Sequence, residues 1–133
     1  MSPARFERVA PGIFVVRYEK DDDLLPDKQQ PLLKAVRAEG VPCAIVFVLA
    51  PGIWKVDLSV PQFWSHAVGD STLPLCAIAV VSASVAVRAA THTFRVATML
   101  RRQKLAVASL HDERAAVQWA REALSPPRAP VSP

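Results

Sequence analysis

Apolar residues recur along this chain in two rhythms, one of period two and one of period three to four. Pro11-Gly12 punctuates the start of Ile13 to Glu19, IFVVRYE, where Phe14, Val16 and Tyr18 share one face because strand side chains alternate. An acidic, proline-containing stretch from Lys20 to Gln30 then reads as a loop or helix entry. Pro31 suits the first turn of a helix, Leu32, Leu33 and Val36 supply its apolar stripe, and Gly40 its stop. The run Cys43 to Ala50, CAIVFVLA, is apolar on both alternating faces, as expected of a strand covered on both sides in a parallel sheet. Trp54 to Leu58 predicts a short extension or an irregular turn, and Ser59-Val60-Pro61 opens a second helix carrying Phe63, Trp64, Ala67 and Val68 and ending at Gly69.

Leu75 to Ser82 repeats the central-strand pattern, and from about Ala83 to Lys104 the period becomes helical. At 100° per residue Val87, Ala90, Phe94 and Ala97 fall on one side, and Arg88, His92, Arg95 and Arg102 on another. A short strand, Leu105 to Leu110, precedes a last helix that Asp112 can cap and whose Val117, Trp119, Ala120 and Leu124 give it a face to bury. The order β-α-β-α-β-α-β-α predicts one mostly parallel sheet with right-handed crossovers. One domain is expected over residues 1–124, with the proline-rich tail 125–133 disordered.

Composition narrows the function classes. The chain has 133 residues, 51% of them hydrophobic, which supplies a core without staples or a structural metal. Its two cysteines, Cys43 and Cys76, lie in apolar runs and read as reduced thiols of a cytoplasmic protein. The longest uncharged run, between Asp70 and Arg88, contains Pro74 and is shorter than the roughly 20 residues a membrane span needs. Net charge is +4, unevenly spread: residues 1–70 hold eight Lys/Arg against nine Asp/Glu, residues 71–133 eight against three. No acid occurs between Asp70 and Asp112, where Arg88, Arg95, Arg101, Arg102 and Lys104 all fall, so an acidic partner surface is expected.

Three stretches resemble the STAS domain, the fold of anti-sigma-factor antagonists, and especially its SpoIIAA-like branch. CAIVFVLA is similar to the central strand and WKVDLSVPQFWSHAVG to the loop and short helix after it. LCAIAVVSASVAVRAATHTFRVA followed by LAVASLHDERAAVQWARE is similar to the closing strand-helix-strand-helix. The resemblance spans roughly Ile13 to Leu124 and implies a four- to five-stranded, mostly parallel sheet with helices packed mainly on one face. It also implies a non-enzymatic role, with the surface around the post-strand helix docking another protein. In the antagonists a serine at that helix start is phosphorylated as a switch, and Ser59 is the matching position. The chain departs from the motif, because Leu58 interrupts it and Val60-Pro61 replaces small residues. Ser59 is therefore open to two roles, helix cap and phosphosite.

Other constellations carry less. Asp21-Asp22-Asp23 lacks the glycine and glutamate of a calcium loop, so no metal is expected. Asp57, Ser59 and His66 are the residue types of a hydrolytic triad, but no G-x-S-x-G elbow surrounds the serine. Ser59 and His66 on one helix stand about 10 Å apart in rise, beyond hydrogen-bond reach. The glycines do not cluster into a phosphate-cradling loop. Without an aromatic base platform, zinc-finger spacing or an RNA-binding strand motif, nucleic acid is not the expected partner. The expectation is a cytoplasmic, cofactor-free interaction module in signalling or regulation, its self-association left open. It would dock an acidic protein through Trp54, Ser59, Phe63 and Trp64 and the basic stripe Arg88, His92, Arg95 and Arg102, a stripe that suits an acidic protein or an anionic membrane face. The second reading is a carrier of an apolar small molecule or lipid in a pocket between sheet and helices.

Overall fold

The apolar runs named above become neighbouring strands. The computed structural model describes residues 5–53, 56, 57, 59–70 and 72–124, so Trp54 and the 125–133 tail lie outside the described residues. Its elements are β1 (Arg5–Ala10), β2 (Ile13–Tyr18), α1 (Gln30–Glu39), β3 (Cys43–Leu49), α2 (Ser59–Val68), β4 (Leu75–Val81), α3 (Val85–Leu100), β5 (Ala106–Leu110) and α4 (Glu113–Leu124). The strands lie side by side in chain order, β1 antiparallel to β2 and every later pair parallel.

Because each parallel step moves one place in the same direction with the same crossover hand, α1, α2 and α3 stack on one face. Phe14, Val16, Tyr18, Ile45, Phe47 and Ile78 point into that layer and meet Leu32, Leu33, Val36, Val60, Trp64 and Val87 from the helices. Among the described residues the opposite face is covered by α4 alone. There Ala44, Val46, Ala77 and Ala79 make a shallow floor, on which Ala116 and Ala120, one turn apart, are fully buried. Val117, Trp119 and Leu124 flank that contact. The expected parallel sheet with helices mainly on one face is thus observed.

β1 is an element the sequence pattern did not predict. Charged Glu7 and Arg8 stand beside Phe6 and Val9, as an edge strand tolerates, while Phe6 packs against the core on the helix-layer side and Ala10 against the α4 side. Pro11-Gly12 is the turn that folds β1 onto β2, with Gly12 at φ +78°. A methyl group on Gly12 would lie 2.7 Å from the carbonyl oxygen of Pro42. Glu39 ties the turn to α1, accepting from Gly12 N–H at 2.9 Å and from the Arg8 guanidinium at 2.8 Å. On the far face Arg17 joins Glu7 of β1, at 2.9 Å, to Glu113 of α4, at 2.7 Å.

The acidic stretch after β2 forms two short 3-10 turns, Asp21–Leu24 and Pro26–Gln29. They bury Gln29, whose carboxamide donates to the carbonyls of Asp23 at 2.7 Å and Leu25 at 3.1 Å and accepts from the Tyr18 hydroxyl. Asp23 turns its carboxylate onto the backbone N–H groups of Glu19 and Lys20, at 2.9 and 3.1 Å, so it stabilises the loop. Of the other expectations, α1 buries the predicted stripe and closes on Gly40 at φ +70°. α3 is shorter than expected at both ends.

Candidate functional site

Two features on the helix layer could serve function: a crevice between α2 and α3, and the outer face of α3. The crevice forms where the two helices diverge above β3 and β4, and encloses about 80 Å³. Phe47 and Val80 make its floor, Val60 and Trp64 one wall, Ala90 and Phe94 the other. Aromatic contacts hold this arrangement: Tyr18 stacks on Phe47 at 5.7 Å, and Trp64 meets Phe47 edge-on at 5.0 Å. The polar side chains in the lining are Tyr18 and Thr91, and both are engaged. The Tyr18 hydroxyl donates to Gln29, and the Thr91 hydroxyl to the Val87 carbonyl at 2.9 Å. Burial, with Asp23 nearby, pushes the Tyr18 phenol far above its ordinary range, so it stays protonated. What this lining can do is exclude water around an apolar group.

α3 begins at Ser84, whose hydroxyl accepts from Val87 N–H at 3.3 Å. Its buried row is Val87, Thr91 and Thr98, with Ala90, Phe94 and Ala97 only partly covered. Threonines replace the expected alanines in the row because each hydroxyl bonds back to its own helix, Thr98 donating to the Arg95 carbonyl at 2.8 Å. The methyl group is then free to face the sheet. The helix ends in a Schellman-type turn: Arg102 N–H donates to Met99 O and Gln103 N–H to Thr98 O, both at 3.0 Å. Arg102 takes the left-handed φ of +55° that glycine favours at this position.

The unexpected feature is the side of α3 turned away from the sheet. Val85 is 78% exposed, Met99 64% and Leu100 80%, and Val96 is exposed between them. At 100° per residue Val85, Ala89, Val96 and Leu100 form a stripe opposite the buried row, so α3 is apolar on two sides. Arg88, His92 and Arg95 flank the stripe, all exposed, and Arg101, Arg102 and Lys104 follow at its end. Arg8, Arg17 and Arg37 form ion pairs, whereas among the described residues no cation of α3 or of the turn after it does. Arg88 Nε donates to the Ser82 carbonyl at 3.3 Å, and the Arg101 guanidinium to the Ser65 hydroxyl. The sequence held the signal for this face, since residues 85–100 contain no acid and no lysine, but sorting them onto two sides hid the second apolar stripe.

The segment after the central strand is divided. Trp54 lies outside the described residues. Trp64 is 5% exposed and belongs to the core, whereas Phe63 is half-buried against it. Asp57 supplies the acceptor at the start of α2, taking the Ser59 N–H at 3.1 Å and the Ser59 hydroxyl as well. A phosphate on Ser59 would therefore stand against the Asp57 carboxylate. His66 is exposed two turns further along α2. Cys43 is buried, and burial followed by the nearby Glu39 pushes its thiol up to about 11, while Cys76 is half-buried. Among the described residues no group of three or more His, Cys, Asp or Glu is placed to hold a metal ion, and no helix is long and apolar enough to cross a membrane.

No family model and no curated protein matches the chain. Among solved structures it is similar to an uncharacterised protein of the DUF3478 family with a SpoIIAA-like fold from Shewanella loihica PV-4. The TM-score is 0.52 at 17% sequence identity, over 88% of this chain and 91% of that one. Sheet order, crossover pattern and this likeness together give the chain the SpoIIAA-like fold.

Proposed function

We propose that this chain is a non-enzymatic, regulatory binding module of the cytoplasm that docks a negatively charged partner surface through the outer face of α3. The observation that carries the reading is the set of exposed apolar side chains on this face, Val85, Val96, Met99 and Leu100, with Arg88 and Arg95 beside them and without an ion-pair partner among the described residues. Cations left without counter-charges beside apolar side chains suit a surface that brings acid and apolar area together. The half-buried Phe63 on neighbouring α2 would extend the contact, and a phosphate on Ser59 would alter its charge. Capture from lysate, comparing wild type with Arg88→Glu/Arg95→Glu, tests this. Loss of the bound material supports the reading, and an unchanged bound set removes α3 from it.

A second reading, carriage of a small apolar ligand, is favoured by the crevice between α2 and α3. Its volume of about 80 Å³ is roughly half that of an engineered apolar cavity known to take benzene, so it would admit a short alkyl segment. Native mass spectrometry of the purified chain tests it. A retained apolar molecule that Ala90→Phe expels supports carriage, and a mass equal to the bare chain in both forms counts against it.

A further inference from the structure

We infer that the surface α3 meets is an anionic lipid bilayer, with Val85, Val96, Met99 and Leu100 entering the interface and Arg88, Arg95, Arg102 and Lys104 meeting lipid phosphates. This rests on the reading that the outer face of α3 is the docking surface, and it names the partner.

Shape decides first. The stripe is the crest of a helix of 16 residues, about 24 Å long. Its most exposed side chains, Val85 and Leu100, stand at its two ends. A stable protein interface buries roughly 800 Å² per partner and anchors side chains in pockets. A single helix about 24 Å long and about 10 Å across presents on the order of 240 Å², well short of that, and its crest has no concavity. A bilayer interface needs no matching shape. It accepts a helix lying in its plane with apolar residues downward and cations at headgroup level.

Charge decides next. Residues 71–111 contain Arg88, Arg95, Arg101, Arg102 and Lys104 and no acid, so the crest and the turn after it carry one sign throughout. A second copy seated on the same face would set these cations against their own images, because a two-fold interface repeats one patch on both sides. Arg102 adds a separate indication. It holds a left-handed position where glycine is favoured, and its side chain puts a further cation two residues from Leu100. A backbone cost kept at such a position is the kind found where a side chain has a task.

The test is co-sedimentation of the full chain with vesicles of phosphatidylcholine alone and of phosphatidylcholine with roughly a third phosphatidylglycerol. The expected result is binding to the anionic vesicles only, weakening as salt rises. Each cation near an anionic surface contributes about fivefold in affinity, so Arg88→Gln/Arg95→Gln should weaken binding roughly 25-fold. Met99→Ser/Leu100→Ser should also weaken it, and because Met99 and Leu100 are exposed, the melting temperature of that variant should match wild type, while Arg88→Gln/Arg95→Gln should lower it by no more than the loss of the Arg88 hydrogen bond to the Ser82 carbonyl accounts for. Wild type remaining in the supernatant with both vesicle sets overturns the inference. If, in that case, an acidic protein is captured and Arg88→Glu/Arg95→Glu releases it, the docking reading stands with a different partner. Vesicle binding that neither pair of substitutions weakens overturns the inference and removes α3 from the docking reading together.

Discussion

Arg102→Gly should make the protein more stable while making it a poorer binder. Arg102 sits at φ +55° in the turn that closes α3, and a residue with a Cβ pays roughly 1–2 kcal/mol to adopt that conformation. Glycine removes that cost and keeps both closing hydrogen bonds, Arg102 N–H to Met99 O and Gln103 N–H to Thr98 O, which are made by the backbone. Two effects oppose the gain. Glycine widens the unfolded ensemble by about 0.4–1 kcal/mol, and the cation lost from the helix C-terminus was worth about 0.3 kcal/mol at an exposed site. The balance is a net stabilisation of roughly 0.5 kcal/mol, a rise of about 2 °C in melting temperature for a domain of this size. Urea denaturation should show the midpoint rising with unchanged slope. Arg102→Lys, which keeps the cation and the strain, should leave both stability and vesicle binding near wild type. A fall in stability for Arg102→Gly would refute the reasoning, since it would mean that the arginine side chain makes a contact worth more than the strain it imposes.

Gly12→Ala should destabilise by roughly 2–4 kcal/mol, because a Cβ there combines a left-handed φ with a 2.7 Å approach to Pro42 O; a denaturation midpoint equal to wild type would sink this. Tyr18→Phe strands the buried Gln29 carbonyl without a donor and should cost about 1–3 kcal/mol by the same assay, and Tyr18→Phe/Gln29→Leu should cost less than the two single changes summed. Acid stability gives a third check. Arg8 and the Gly12 N–H hold Glu39 below the usual carboxylate range, Thr72 and Arg37 do the same for Asp70, and the N–H groups of Glu19 and Lys20 do so for Asp23 against its partial burial. Lowered folded values mean that this stabilisation is complete above the unfolded carboxylate range, near pH 4, and fades as pH falls through the folded values. Thermal melts from pH 7 to pH 2.5 should therefore drop steeply only below about pH 4, and Glu39→Gln should flatten part of that drop.

The parallel strands were readable because CAIVFVLA and LCAIAVVS are apolar on both faces, a pattern that requires cover on two sides. Proline at helix starts and Gly40 at a helix stop located α1 and α2 for equally local reasons. β1 escaped because an edge strand needs few apolar contacts, and Phe6 among charges looks like a surface segment until Pro11-Gly12 folds it back. The basic residues of α3 were visible, yet its outer apolar stripe was not: helical periodicity shows which residues share a side, and says nothing of which side the sheet covers. Likewise Trp64 and Phe63, adjacent in sequence, part company only when Trp64 meets Phe47. That the helix-opening acceptor is Asp57 and not Ser59 depends on where the chain enters α2.

A sheet whose strands run in chain order can be laid down in the order in which a ribosome releases it. Each strand finds its only earlier neighbour already in place, and no segment must wait for a distant one to complete its pairing. The exception is α4, which contacts β2, β3, β4 and β5 and is the last described element to appear. Until it arrives, Ala44, Val46, Ala77 and Ala79 face water, so a nascent chain cut short before Glu113 would hold a complete sheet with one greasy side uncovered, a form prone to stick to its neighbours.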